Sequence, residues 1–284
     1  MLDLSIIVAG GTASSLMADF GAEVVKIERP KTGDPLRNWG PFYKDVSLWW
    51  KVHSRNKKSI TLDLSKPKGQ SILKRLANEA DILIEGFRPG TMENWGVGPD
   101  ELLAANPELI FVRYSGFGQT GPRAQEPGYD AALQGMTGIM SVTGEADGGP
   151  TKVGAAWIDI LTGLTSIIGI LSALHEKSIS GRGQHIDVSL FDVGIACMAN
   201  IAQSYLATGN SPGRIGNAHP QVAPYQDFRA SDGDFMTAAN NDDQFRRLCE
   251  TVGLPELAED LRFTTNALRV ENRNELEKLL NDQI

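Results

Sequence analysis

The 284-residue sequence predicts an α/β fold built on a largely parallel sheet. Two observations carry that prediction. The chain opens on strand, glycine turn, helix and strand, and further short apolar runs then alternate with segments of helical periodicity. A composition of 41% hydrophobic and 22% charged residues is that of an ordinary globular chain, able to bury a sizeable core.

In the opening unit, LDLSIIVAG, GTASSLMADFGA and EVVKIE, the apolar run at residues 6–8 predicts a buried strand. Leu16, Met17 and Phe20 share one helical face, and Val24, Val25 and Ile27 form a second short strand. β-like runs follow at residues 59–64 (SITLDL), 82–85 (ILIE) and 109–114 (LIFVRY), with helical periodicity between them at 69–80 and 100–105. The glycine-rich stretch 115–128 reads as a loop with special backbone positions. A long helix is expected at about 160–177, a turn at SGRGQ, a strand at 185–190, and a helix over 191–208 ending at Gly209. GNSPGRIGNAHPQVAP then reads as a linker or exposed loop, so the expected division is a large domain, 1–208, a linker, 209–224, and a smaller domain, 225–284. That last part predicts a hairpin turning at 231–233 and a helical tail over 242–280.

Charge and composition narrow the function. Lys plus Arg number 27 against 35 Asp plus Glu, and the net charge of −8 argues against nucleic-acid or anionic-membrane partners while permitting a local basic pocket. Cys197 and Cys249 lack paired spacing and read as reduced thiols of a cytoplasmic protein. His53, His175, His185 and His219 show no metal-ligand spacing, so no metal site is expected. No signal peptide is visible, and the apolar segment 160–174 reads as a buried helix too short to span a bilayer.

Several residues could carry chemistry. Gly10 and Gly11 follow a strand and precede a helix, and Glu28 stands where the ribose-binding acid of a dinucleotide site belongs, but VAGGTASS does not satisfy GxGxxG. Asp159, in KVGAAWIDILTG, precedes the long apolar helix and suits an N-cap. The same position could instead keep a carboxylate ionised beside the helix dipole as a nucleophile, with Gly154, Ala155 and Ala156 leaving room for a ligand. Arg55, Lys57 and Lys58, with Arg29, Arg37 and Arg88 at loop ends, form either a solvated face or a phosphate pocket. Tyr129 and Asp130 (PGYD) are a turn with a packed ring or a second polar group of the site, and His219 reads as non-catalytic.

Taken together, ADFGAEVVKIERP, SRNKKSITLDL, EGFRPGTM, SGFGQTGP, PGYD, KVGAAWIDILTG, SGRGQHIDVSLFD and GNAHPQVAPYQ resemble, in order and over nearly the whole chain, the class III CoA-transferase (CaiB/BaiF) family. The resemblance implies a Rossmann-like large domain with a mostly parallel sheet, a smaller α+β domain, and an interlocked homodimer. It implies transfer of coenzyme A from an acyl-CoA to a small carboxylic acid, with CoA a substrate and no cofactor required. The family's nucleophile falls on Asp159. Its CoA contacts fall on Val8, Ala9, Arg29, Leu62, Asp63, Leu64, Ser65, Gly86, Phe87, Arg88, Pro127, Gly128, Tyr129 and Asp130, with Arg29 a partner for the nucleotide's phosphate.

Three positions depart from the family pattern: Gly11 replaces a proline, Gly86 an asparagine and Asn94 an arginine. Acyl-CoA racemases of the same family would show GHD where Gly128–Asp130 reads GYD, and a second acid near Asn240, so the transferase reading is preferred. Two further activities compete with it. One is an NAD-dependent oxidoreductase, from the first βαβ unit. The second is an inactive CoA-binding fragment, because family members usually extend further and return to complete the large domain.

Overall fold

The computed structural model describes residues 1–284. The strands are β1 (Leu2–Asp3), β2 (Val25–Glu28), β3 (Phe42–Tyr43), β4 (Val46–Ser47), β5 (Lys58–Thr61), β6 (Ile82–Glu85), β7 (Ile110–Ser115), β8 (His185–Ser189), β9 (Tyr225–Ala230) and β10 (Gly233–Ala238). Six of them form one parallel sheet in the order β5-β2-β1-β6-β7-β8, with Leu2 in register with both Val25 and Leu83. Chain order reverses between β1 and β6, the place where open α/β sheets bind ligands beyond the strands' carboxyl ends.

Period-two alternation fills both faces of this sheet. Ile82, Ile84, Ile110, Val112 and Tyr114 face a core shared with Ala9, Ala13, Ile158 and Ile170. Leu83 and Phe111 point the other way, onto Leu73, Met92 and Leu102. Burial on both sides is what makes these strands continuous apolar runs in the sequence.

The chain divides into two compact units, Met1–Ile139 with Lys152–Gly209, and Met140–Thr151 with Asn210–Ile284. Residues 140–151, placed in the large domain by the sequence pattern, therefore cluster with the second unit. The segment expected as a linker is also tied into that unit: His219 N–H donates to Tyr225 O at 2.8 Å, and Asn266 Nδ2 donates to Gln221 O at 2.8 Å. The second unit is built on the β9–β10 antiparallel hairpin and a core of Phe228, Phe245, Phe263, Leu276 and Leu280. Its fully buried Arg269 guanidinium donates to Ala223 O, Phe263 O and Asp242 Oδ1.

Four local expectations are corrected. Residues 6–8 form a turn instead of a strand, because the buried Asp3 carboxylate accepts from Ser5 N–H at 2.9 Å and bends the chain off the ladder, leaving Ile7 at φ 64°. Phe20 falls just past the helix Ala9–Asp19 and is 90% exposed. The expected helix over 191–208 is two helices, Leu190–Cys197 and Ala199–Thr208, bent by 78° where Ala199 adopts φ 40°. No glycine or proline marks that break.

The fourth correction concerns the long helix, Trp157–Ser180. Its 24 residues are long and apolar enough to cross a membrane by length and composition. It is buried along one stripe, through Ile158, Thr162, Gly163, Ser166, Ile170 and Ala173, while Leu164, Ile168, Leu171 and Ile179 stay exposed. Gly163 lets the helix approach Ala9–Asp19 closely, since a Cβ there would stand 2.7 Å from Ala9 O.

Candidate functional site

Parallel strands end on a common edge, and here that edge is densely charged. Asp3, fully buried at the end of β1, meets Lys57 Nζ at 3.0 Å and Lys26 Nζ at 3.5 Å, with Ser14 Oγ at 2.6 Å. Burial pushes the Asp3 carboxyl up, but the two ammonium groups and the hydroxyls of Ser14 and Ser5 outweigh it and bring its pKa down to about 2. Lys26 also reaches Asp34 Oδ2 at 3.2 Å and Ser5 O. Glu28, at the end of β2, accepts from Arg37 Nε and Nη2 at 2.7 Å each and from Asp34 N–H at 2.9 Å. With Ser59 Oγ also donating to it, this carboxylate is saturated, and the ribose-binding role weighed for Glu28 is overturned.

Two adjoining clefts open above this edge, both within the first unit. The larger, of 610 Å³, is lined by residues following β1, β2 and β5, and holds Arg29, Leu62, Asp63, Leu64 and Ser65. The second, of 400 Å³, lies at the switch point and collects Val8, Ala9, Gly86, Phe87, Arg88, Pro127, Gly128, Tyr129 and Asp159. Ile6 and Phe87 line both, so they form the wall between the clefts. Phe87 is held in place from two sides: its N–H donates to Glu85 Oε2 at 2.6 Å and its ring meets Trp95 edge-on at 5.4 Å.

Asp159 is not the N-cap that its sequence position suggested. The helix begins at Trp157, the cap residue is Ala156, and no side chain of the segment caps it. The capping oxygen comes from Asp130, whose Oδ2 accepts from Ile158 N–H at 2.8 Å and from Asp159 N–H at 3.2 Å. Asp130 Oδ1 is held in turn by Gln134 Nε2 at 2.7 Å. The Asp159 carboxylate is thereby released from the backbone and faces the cleft. Burial first, and the neighbouring Asp130 charge second, push its pKa up to about 7. Burial and Asp130 thus oppose the ionisation that the helix dipole was expected to favour. The neighbourhood is roomy, as a Cβ on Gly154 would meet nothing within 4 Å. The helix Ala9–Asp19, whose first residue lines the same cleft, also has no side-chain cap, leaving backbone N–H donors there.

Several expected residues find different places. Asp130 lines neither cleft and acts through the helix start. Tyr129 is 72% exposed, so it is no packed turn residue. Of the basic cluster, Arg55 pairs with Asp19, Lys58 with Glu23, Arg37 with Glu28 and Lys57 with Asp3, which leaves Arg29 and Arg88 as the cations that line the clefts. His219 lies in the second unit, its ring stacked on Tyr225 at 5.2 Å.

Sequence pattern alone missed, among others, Ile6, Ile7, Tyr114, Gly116, Glu126 and Leu190, which also line the second cleft. The end of β7 was recognisable as a strand end, and strand ends are where such a site is built. Tyr114 also accounts for one departure from the family pattern: a Cβ on Gly86 would stand 2.3 Å from Tyr114 Cζ, so the ring excludes any larger residue.

Comparisons with known proteins identify the family. The model of CoA-transferase family III matches residues 1–284. The chain is 45% identical over 282 residues to succinyl-CoA–D-citramalate CoA-transferase of Chloroflexus aurantiacus, covering 99% of this chain and 70% of that protein. It is 41% identical over 290 residues to succinate–glutarate CoA-transferase of Agrobacterium fabrum, covering 100% and 72%. To acetyl-CoA:oxalate CoA-transferase of Acetobacter aceti it is 42% identical over 281 residues, covering 99% and 72%. Among solved structures, a CaiB/BaiF family protein from Brucella suis superposes with a TM-score of 0.86 at 45% identity, over 99% of this chain and 76% of that one.

Proposed function

The chain belongs to CoA-transferase family III and moves coenzyme A between an acyl-CoA and a carboxylate, and we propose that it does so through covalent catalysis at Asp159. The observation that carries this reading is the released carboxylate: Asp159 stands in the switch-point cleft with its backbone capped by another residue and its own oxygens uncommitted.

The ionised Asp159 oxygen attacks the thioester carbonyl, the C–S bond breaks, and an acyl–aspartyl anhydride and CoA thiolate result. The thiolate then attacks the aspartyl carbonyl, releasing the donor acid and leaving an aspartyl-CoA thioester. The acceptor carboxylate attacks that thioester, expelling the thiolate and forming a second mixed anhydride. Attack of the thiolate on the acceptor's acyl carbon yields the new acyl-CoA and regenerates Asp159. Each step develops negative charge on a carbonyl oxygen, which the uncapped N–H groups of the helix Ala9–Asp19 suit. Half-burial of Asp159 limits water, which would hydrolyse the anhydrides.

In this reading the larger cleft takes the nucleotide end of CoA, with Arg29 near its phosphates, and the pantetheine passes over Ile6 and Phe87 toward Asp159. The exchanged acids are short dicarboxylic acids, as in the relatives named for succinate, glutarate, citramalate and oxalate, and Arg88 supplies a cation on the Asp159 side. The expected homodimer and cytoplasmic location are part of the same proposal. The exposed apolar residues Leu164, Ile168 and Leu171 offer a face for a second subunit.

Intact-protein mass spectrometry after mixing with succinyl-CoA tests the mechanism. An adduct mapping to Asp159 is expected, and turnover without any Asp159 adduct under rapid quench overturns it.

A further inference from the structure

We infer that Tyr114 is a positioning residue for the transfer reaction, its hydroxyl fixing the turn that separates the two clefts. The inference rests on the reading of the Asp159 cleft as the reaction site.

Tyr114 is the penultimate residue of β7, is 6% exposed, and lines the cleft that contains Asp159. Its ring stands in a slot that two glycines create. A Cβ on Gly10 would come within 2.7 Å of Tyr114 Cε1, and one on Gly86 within 2.4 Å of its hydroxyl oxygen. The ring therefore has no room to move sideways, and its hydroxyl donates to Ile6 O at 3.1 Å, with the Ser5 side chain of the same turn also within hydrogen-bonding reach.

That acceptor adjoins a strained position of the backbone beside the clefts. Ile7 is β-branched at φ 64°, a conformation that persists only where its surroundings impose it. The restraints on the turn come from opposite sides. Lys26 grips Ser5 O and the Asp34 carboxylate lies 3.3 Å from Ile7 N, both from the β2 side. From the Asp159 side, the hydrogen bond to the turn comes from Tyr114. Burial, with the charges of Asp3 and Asp159 in support, drives the phenol's ionisation far above the ordinary tyrosine range, so it stays a neutral donor throughout the working pH.

Without this bond the turn is held from one side only. Ile6, Ile7 and the Val8–Ala9 helix start, all of which line the Asp159 cleft, are then free to relax out of the strained geometry. The acyl group loses alignment with the nucleophile, while the nucleotide cleft, which shares Ile6 with the turn but rests mainly on the residues after β2 and β5, keeps its grip on CoA.

The test is Tyr114→Phe, which removes the hydroxyl and leaves the ring in its slot. Turnover is expected to fall roughly fivefold to tenfold, the rate equivalent of one lost hydrogen bond. KM for the acyl-CoA should stay within about twofold, with the thermal midpoint nearly unchanged. Unchanged kcat overturns the inference, including the case of a rise in KM alone, which would assign the hydroxyl to uniform binding. Because the readout is steady-state turnover, it is independent of whether the Asp159 adduct is seen. A wild-type enzyme that turns over without that adduct defeats the covalent mechanism, while the Tyr114 comparison is still decided.

Discussion

Asp3 and Asp159 are both carboxylates at the rim of the same sheet edge, yet the structure treats them in opposite ways. Asp3 is fully buried and its pKa falls to about 2, because two ammonium groups and two serine hydroxyls surround it. Asp159 is only half-buried and its pKa rises to about 7, from burial first and from the neighbouring Asp130 carboxylate second, with no cation to offset them. Burial raises both. Supply of partners decides the outcome, and it separates a group that holds the fold together from one kept reactive.

Removing either carboxylate breaks this comparison in a characteristic way. The largest expected effect is on activity. Asp159→Asn should lower turnover on the order of 10⁴-fold, as loss of a covalent nucleophile does, measured as acyl-CoA exchange between succinate and a second acid. The same variant should be no less stable than wild type. A carboxyl whose folded pKa lies near 7, above its ordinary value of 3.8, binds a proton more tightly in the folded state. Its contribution to stability is therefore lost as pH rises from about 4 to 7. Urea midpoints of wild type and Asp159→Asn should coincide near the lower limit and separate in the variant's favour above the upper one.

Asp3→Ala should show the reverse pattern. It leaves Lys26 and Lys57 buried without their shared counter-charge, a loss on the order of 3–5 kcal/mol, visible as a lower urea midpoint at pH 7. For Asp3 the folded pKa of about 2 lies below the ordinary 3.8, so its contribution is present above the latter and disappears as pH falls through the former. A variant as stable as wild type would show that the lysines find new partners.

The smallest change sharpens the comparison without removing either group. Asp130→Asn keeps an oxygen for Ile158 and Asp159 N–H but deletes the like charge beside Asp159. The rising limb of kcat/KM with pH, expected near 7 in the wild type, should move to lower pH. An unmoved limb would mean that burial alone sets the nucleophile's titration.

Much of the scaffold is legible in the chain itself. The runs ILIE and LIFVRY became β6 and β7 because strands buried on both faces need consecutive apolar residues. The helix at 69–80 was visible because one apolar stripe repeats at helical spacing, and the structure places it at Pro67–Asn78. The motifs also brought nine of the expected site residues into a single cleft. Local pattern failed where a distant side chain intervened. The apolar run at 6–8 reads as strand, but the Asp3 carboxylate and the Tyr114 hydroxyl, 108 residues from Ile6, turn it into a strained bend. The basic run SRNKKS reads as either a solvated face or a phosphate pocket, and its lysines and arginine are in fact paired with Asp3, Glu23 and Asp19.

The amino-acid order alone fixed the alternation of strand and helix, the family pattern and the position of Asp159 at the start of a long apolar helix, since periodicity and helix-start chemistry act over a few neighbouring residues. Only the folded chain decided what that carboxylate is free to do. The oxygen that caps its helix comes from Asp130, 28 residues upstream of Ile158, and no local spacing specifies so remote a partner. Hydrogen bonds and charges act at contact distance in space, so which carboxylate is tied down and which is left uncommitted is settled by packing.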